Sequence, residues 1–270
     1  MYDFTTLENS DFSTLTEAWN RCWQGYYYEM LFTEENLKVW IFRGMIQLKH
    51  SIALKENGQI IGFAFLGQAD YDGWIGGTAI DPRYRGNRLF VPMLKAQIEL
   101  ARDLGLKQLY LEVLSQNFAR HSYQAVGFKF FRPLYIYRIK PGMLNLAYSP
   151  DNNNFQRVET SAYFLARQEG QFVPAWQRRE HYLKRYPSLN ACLNPEGTSG
   201  MLYAEMKGRT LIDAWSASDK SAQELLSVLN LRNNREFSLT NQPSDSITQA
   251  MSLTGIRPTE LQYEMVCSLI

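Results

Sequence analysis

Cysteine, histidine and net charge are all scarce in this chain. Its 270 residues hold three cysteines, three histidines and a formal charge of +1, from 28 basic and 27 acidic side chains. Cys22, Cys192 and Cys267 are odd in number, far apart and in no CxxC pair, which argues against a disulfide framework and fits a reducing cytoplasm. His50, His121 and His181 stand alone at no metal-ligand spacing, so no metal is expected. Balanced charge removes the global field that draws a protein to nucleic acid or an anionic membrane, and neither is expected as a partner. No apolar run approaches the roughly 20 residues of a membrane span. Met1-Tyr2-Asp3-Phe4 lacks the basic start and apolar stretch of a secretory signal, so none is expected. The reading that remains is a soluble, cytoplasmic globular chain. Its 45% hydrophobic and 14% aromatic content can build real cores, in one large domain or two small ones.

The first half alternates between helical and strand periods. Phe4 to Leu7 reads as a short strand, and Phe12, Leu15, Ala18, Trp19 and Cys22 share one face of a helix over 9–24, capped by Ser10 or Asp11. A second helix from Thr33 to Arg43 buries Leu37, Trp40 and Ile41. Residues 51–55 and 60–66 around Asn57-Gly58 predict a hairpin with a type I′ turn, and Asp72-Gly73 predicts the next turn, leading into Trp74 to Ile80. From Asn87 to Leu104 the pattern is helical again, stopped by Gly105. A strand at 109–114, a helix at 118–126 and a strand at 128–139 follow. The order is β-α-α-β-β-β-α-β-α-β.

Ser149-Pro150-Asp151-Asn152-Asn153-Asn154 is rich in turn formers and reads as a linker, dividing the chain into domains 1–145 and 146–270. The second half repeats the layout: a strand at 155–159, a helix at 175–186, strands at 189–193, 201–206 and 210–215, a helix at 222–229, a strand at 237–240, a helix at 247–253 and a strand at 262–269. Gly58, Gly73 and Gly127 correspond to Gly197, Gly208 and Gly255, with the last interval shorter by seven residues. The second half is expected to be a degenerate copy of the first.

Chemistry concentrates at the passage from the third strand of the hairpin region to the long helix. Ile80-Asp81-Pro82-Arg83-Tyr84-Arg85-Gly86-Asn87-Arg88-Leu89-Phe90 ends at a helix start, where unpaired N–H groups and the positive dipole end favour an anion. Pro92 has no N–H, so the available donors are those of Gly86 to Val91, and Arg83, Arg85 and Arg88 add charge beside them. A pyrophosphate suits this turn.

Leu111-Glu112-Val113, then Asn117, Ala119, Tyr123 and Gly127-Phe128, follow in one unit. With them the chain resembles the GNAT superfamily of N-acetyltransferases, over most of residues 1–140 and most specifically over 75–128. The resemblance implies an α/β fold with a mixed sheet, here duplicated, and acetyl-CoA as co-substrate. It places the cofactor phosphates on Arg85, Gly86, Asn87, Arg88, Leu89 and Phe90, and the pantetheine arm against the backbone of Thr78, Ala79 and Ile80, where two strands splay apart. Asn117 belongs to the same cofactor-binding set. Tyr123 is implied as the acid that protonates the leaving thiolate, and Glu112 as the base for the attacking amine. The fourth and sixth positions of the turn depart from the family, which has glycine, then glycine or alanine, where this chain has Arg88 and Phe90. One residue is missing at the start of the helix over 118–126, so the asparagine of the family motif aligns with either Gln116 or Asn117.

The implied acceptor is a primary amine on a small molecule or peptide, bound near Trp23, Tyr26, Tyr27, Tyr28 and Glu29, an aromatic cluster able to cradle a cation or to serve as core. The second half has Ser216-Ala217-Ser218-Asp219-Lys220 in place of the Arg-Gly turn and Met251 in place of Tyr123, so it is expected not to bind acetyl-CoA. The protein is expected to be a monomer or a homodimer. The competing reading is a non-catalytic acyl-CoA-binding regulatory module; transfer from charged tRNA is disfavoured by the near-zero net charge.

Overall fold

The computed structural model describes residues 2–144, 155–206, 208–232 and 236–270; the linker run 149–154 lies outside them. Two compact units emerge, one of residues Met1–Phe131 with Glu264–Ile270, the other of Arg132–Tyr263.

In the first unit a short strand, β1 (Tyr2–Thr6), precedes helix α1 (Phe12–Cys22). Asp11 fixes the start of α1 by accepting the Thr14 N–H at 2.8 Å. Thr33 does the same for α2 (Glu34–Gly44) through the Asn36 N–H. The helices pack apolar faces against an aromatic core in which Trp19 is stacked between Phe32 (4.9 Å, 3°) and Phe63 (5.6 Å, 2°), with Trp40 tilted against it at 4.7 Å. Strands β2 (Ile52–Glu56) and β3 (Gln59–Ala69) close over Asn57 and Gly58, both at positive φ as the type I′ turn requires.

The turn between β3 and β4 (Asp72–Ile80) is Asp70-Tyr71, not Asp72-Gly73: Ala69 already pairs with Asp72, and Asp70 takes the left-handed conformation at φ 52°. Gly73 serves a different purpose, because a Cβ there would lie 2.5 Å from Leu109 Cδ2. Helix α3 (Phe90–Asp103) begins three residues later than its apolar pattern suggests, since Gly86 and Arg88 both hold positive φ and cannot be helical. Strand β5 (Gln108–Leu114), helix α4 (Ala119–Ala125) and the start of β6 (Lys129–Ile139) follow. The sheet order is β1-β2-β3-β4-β5, continued by the Glu264–Ser268 part of the last strand of the chain, β12 (Glu260–Ser268).

The second unit contains β7 (Gln156–Val158), β8 (Leu189–Leu193), β9 (Ser199–Met206) and β10 (Gly208–Ser216) as a four-stranded antiparallel sheet. Helix α5 (Thr160–Glu169) was not expected, because its buried face is Tyr163, Phe164 and a charged residue, Arg167, rather than an apolar stripe. The single helix expected over 175–186 is instead a 3₁₀ turn at Trp176–Arg178 and a short α6 (Glu180–Leu183), separated by Arg179 in extended conformation. Helix α7 (Asp219–Arg232), strand β11 (Phe237–Pro243) and helix α8 (Ser246–Leu253) complete the repeat, with β11 antiparallel to the Leu134–Ile139 part of β6. Leu225, Leu229, Ile247 and Met251 form its core with Met201 and Ile139.

The ten-element order occurs twice. Nine residues (81–89) join β4 to α3, but only two (217–218) join β10 to α7. The seven-residue deficit equals the shortening of the Gly208 to Gly255 interval, so the missing residues fall at the connection that corresponds to 81–89. No helix among the described residues is long and apolar enough to cross a membrane.

Candidate active site

Strands β4 and β5 are parallel and pair only over Asp72–Trp74 with Gln108–Tyr110. Beyond Trp74 the ladder stops, and β4 continues paired to β3 alone. A cavity of about 680 Å³ opens along this gap. Its walls include Thr78, Ala79 and Ile80 from β4, Glu112 from β5, Asn117 and Tyr123 around α4, and Arg85, Gly86, Arg88, Leu89 and Phe90 from the turn. Asn87 lies within that turn but not in the lining. The sequence-predicted residues are therefore brought to one cavity.

Among the described residues the N–H groups of Gly86 to Val91 find no backbone acceptor, as expected of a helix start with no side-chain cap. The three arginines of the turn divide the work. Arg83 binds Asp81 twice, at 2.7 and 3.1 Å, and Arg21 binds the same buried carboxylate at 2.8 Å. Arg85 donates to three backbone carbonyls, Ile80 at 3.0 Å, Cys22 at 2.8 Å and Gln24 at 2.9 Å, and so ties the end of β4 to the end of α1. Arg88 alone has no partner among the described residues; it is exposed, at φ 59°, a conformation that costs a non-glycine residue about 1 kcal/mol. Because three acceptors are read by one planar fork, Arg85→Lys is expected to loosen the turn and raise KM for the acyl-CoA about tenfold while changing kcat little. Equal KM values for the two proteins in steady-state assays would dismiss this role.

Tyr123 is 7% exposed and packs edge-on against Phe90 (5.6 Å, 66°) and Phe128 (5.9 Å, 69°). Burial pushes its phenol up to about 12, with the neighbouring Thr78 side chain acting in the opposite direction. The Thr78 hydroxyl is itself buried in the cavity wall and makes no hydrogen bond of full geometry. The Cys22 thiol, in the same wall, is pushed by burial to about 12 as well. Glu112 receives the Trp74 indole N–H at 2.8 Å, which fixes its carboxylate two residues beyond the last β4–β5 pair. Asn117 accepts the Ala119 N–H at 2.9 Å and also touches the Tyr26 phenol, which burial and the phenols of Tyr28 and Tyr123 push upward. Trp74 and Cys22 were legible only as core residues; neither belongs to a motif.

The Acetyltransferase (GNAT) family model matches residues 4–128. These residues belong to the GNAT family. Membership carries acyl transfer from an acyl-CoA as the coarse activity of the domain. No curated protein matches the chain in sequence. Among solved structures, a putative acetyltransferase from Pyrococcus horikoshii is 11% identical, with 99% of this chain and 89% of that one covered and a TM-score of 0.69. A GCN5-related N-acetyltransferase from Sphaerobacter thermophilus is 15% identical over 99% and 96%, at 0.67. A tandem GNAT protein from the clavulanic acid biosynthesis pathway is 12% identical over 100% and 99%, at 0.68. At such identities the likeness establishes the fold, and because it spans the whole chain, the second half is a GNAT-like fold too.

In that GNAT-like half β10 and β11 stand where β4 and β5 stand in the first, and among the described residues no ladder joins them. Here the gap is bridged by one side chain. Arg178 donates to Asp213 Oδ1 (2.8 and 2.6 Å) and to the Ala214 carbonyl on β10, and to Gln242 on β11. Arg167 at 2.6 Å and the Tyr163 hydroxyl at 2.8 Å bind the other Asp213 oxygen. At the shortened turn the hydroxyls of Ser216, Ser218 and Ser221 bond one another.

Proposed function

We propose that residues 1–145 transfer the acetyl group of acetyl-CoA to a primary amine of a small molecule or peptide by direct attack, and that residues 146–270 are a silent domain. The observation that carries this is the buried Tyr123 hydroxyl at the gap where the β4–β5 ladder ends. The unpaired N–H groups of Gly86 to Phe90, with Asn87 among them, and the Arg88 guanidinium suit a pyrophosphate, and the unpaired edge of Thr78, Ala79 and Ile80 suits an amide-bearing arm. Arg85 acts through its carbonyl contacts, holding the turn rather than the phosphate. Bound acetyl-CoA supplies an electrophilic thioester carbonyl and a thiolate leaving group.

The residues of the chain then need only move protons. Glu112, oriented by Trp74, takes the proton of the amine, directly or through water. Tyr123 gives its proton to the departing sulfur. A phenol near 12 is a poor acid toward a thiol in water, whose ordinary value is about 8.5. Burial in this wall disfavours a thiolate as it does a phenolate, which narrows that mismatch.

The test is release of free thiol from acetyl-CoA with a panel of amines and peptides. Turnover with an amine supports transfer, whereas binding with no turnover on any acceptor favours the regulatory module. Since burial keeps the Tyr123 proton in place, the rate with a good acceptor is expected to show no descending limb between about pH 8 and 10. A fall centred near pH 10 that persists in Tyr123→Phe speaks against Tyr123 as the acid.

A further inference from the structure

The charges that line the site are sorted by sign. In the main cavity the cations are Arg85 and Arg88, both at the turn, and the one anion is Glu112, on the far side of the gap. A second hollow of about 310 Å³ adjoins it, since Trp23, Gly25 and Tyr26 line both. This hollow contains one charged residue, Glu29, and three aromatics, Trp23, Tyr26 and Tyr28. Trp23 and Tyr28 both meet Tyr26 edge-on, at 4.7 Å and 5.1 Å.

Several other polar groups around the hollow are committed elsewhere, while the buried Trp23 indole N–H has no hydrogen-bond partner among the described residues. The Asn20 amide exchanges two hydrogen bonds with the Phe32 backbone, the Gln24 carbonyl accepts from Arg85, and the Met30 carbonyl accepts from the Trp19 indole. Glu29 makes no ion pair among the described residues. The Arg85 guanidinium lies beside Gly25 and Gln24 but is engaged by the Ile80, Cys22 and Gln24 carbonyls, which leaves the Glu29 carboxylate among the aromatic rings to attract an ammonium.

We propose that the acceptor is a diamine or another amine carrying a second positive charge, with the reacting nitrogen beside Glu112 and the second cation in the hollow of Trp23, Tyr28 and Glu29. The inference rests on the acyl-transfer reading of the first unit. It rejects acceptors with an acidic group near the amine.

The test compares butylamine, 1,4-diaminobutane and 1,5-diaminopentane at saturating acetyl-CoA. A diamine is expected to exceed butylamine in kcat/KM by about tenfold, beyond the statistical factor for two equivalent amines, and Glu29→Gln is expected to reduce that ratio to a few-fold. In parallel, tryptophan fluorescence of the protein alone, titrated with 1,4-diaminobutane, is expected to change saturably and more weakly in Glu29→Gln. Equal kcat/KM for mono- and diamines, or a ratio untouched by Glu29→Gln, overturns the proposal. If no amine is acetylated, the acyl-transfer reading fails instead, and the titration alone decides whether the hollow takes a diamine.

Discussion

Replacing Tyr123 with phenylalanine is expected to lower kcat by about 10² to 10⁴ with little change in KM for acetyl-CoA. The substitution removes one oxygen and leaves the ring, so the contacts with Phe90 and Phe128 persist and the fold is retained. What is lost is the phenolic proton beside Thr78, whose own hydroxyl proton is far less acidic. Steady-state kinetics with an acceptor from the amine panel give the result, and thermal unfolding of the variant checks that the protein is intact. A loss of turnover below about tenfold means that water, not Tyr123, protonates the sulfur.

The residues of the turn were readable because their meaning is local. A Pro- and Gly-containing stretch between a strand and a helix exposes N–H groups wherever it occurs, and Gly86 at φ 84° is the conformation such a stretch needs. What Arg85 does was not readable. Its partners, the carbonyls of Cys22 and Gln24, lie about sixty residues away, and nothing in the spacing of the turn separates an arginine that meets phosphate from one that holds the loop. The same limit applies to Glu112, whose orientation depends on an indole on the neighbouring strand.

Strand existence was legible, but strand membership was not. The patterns mark 128–139 and 262–269 as strands, yet no pattern tells that residues 264–268 belong with the first unit and 132–139 with the second. Helix α5 was missed for an energetic reason: its inward face carries Arg167, a residue that pattern reading assigns to solvent, and the Asp213 carboxylate and the Arg178 carbonyl make its burial tolerable. In the second half a charge cluster with Arg178 across the gap stands where the first half has a cavity, and the turn after β10 is seven residues shorter than the one after β4.

Asp213→Asn should for that reason destabilise the second unit by about 3–5 kcal/mol, the range for removing one partner of a buried ionic cluster. The side chains of Arg167, Arg178 and Asp213 are 6%, 4% and 0% exposed, so two buried guanidinium groups would lose the one carboxylate that bonds both of them. Burial alone works to raise the Asp213 carboxyl, but Arg178 and Arg167, with hydrogen bonds from Tyr163 and Arg178, outweigh it and hold the group below its ordinary 3.8. A folded-state value below the unfolded one contributes stability above the unfolded value and loses it as pH falls through the folded one. The wild-type protein should therefore be more stable than Asp213→Asn by a constant margin from neutrality down to about pH 4, and the margin should shrink on further acidification. Urea unfolding at a series of pH values measures it. A margin below about 1 kcal/mol at neutral pH would mean that the cluster does not carry the charge balance of the second unit.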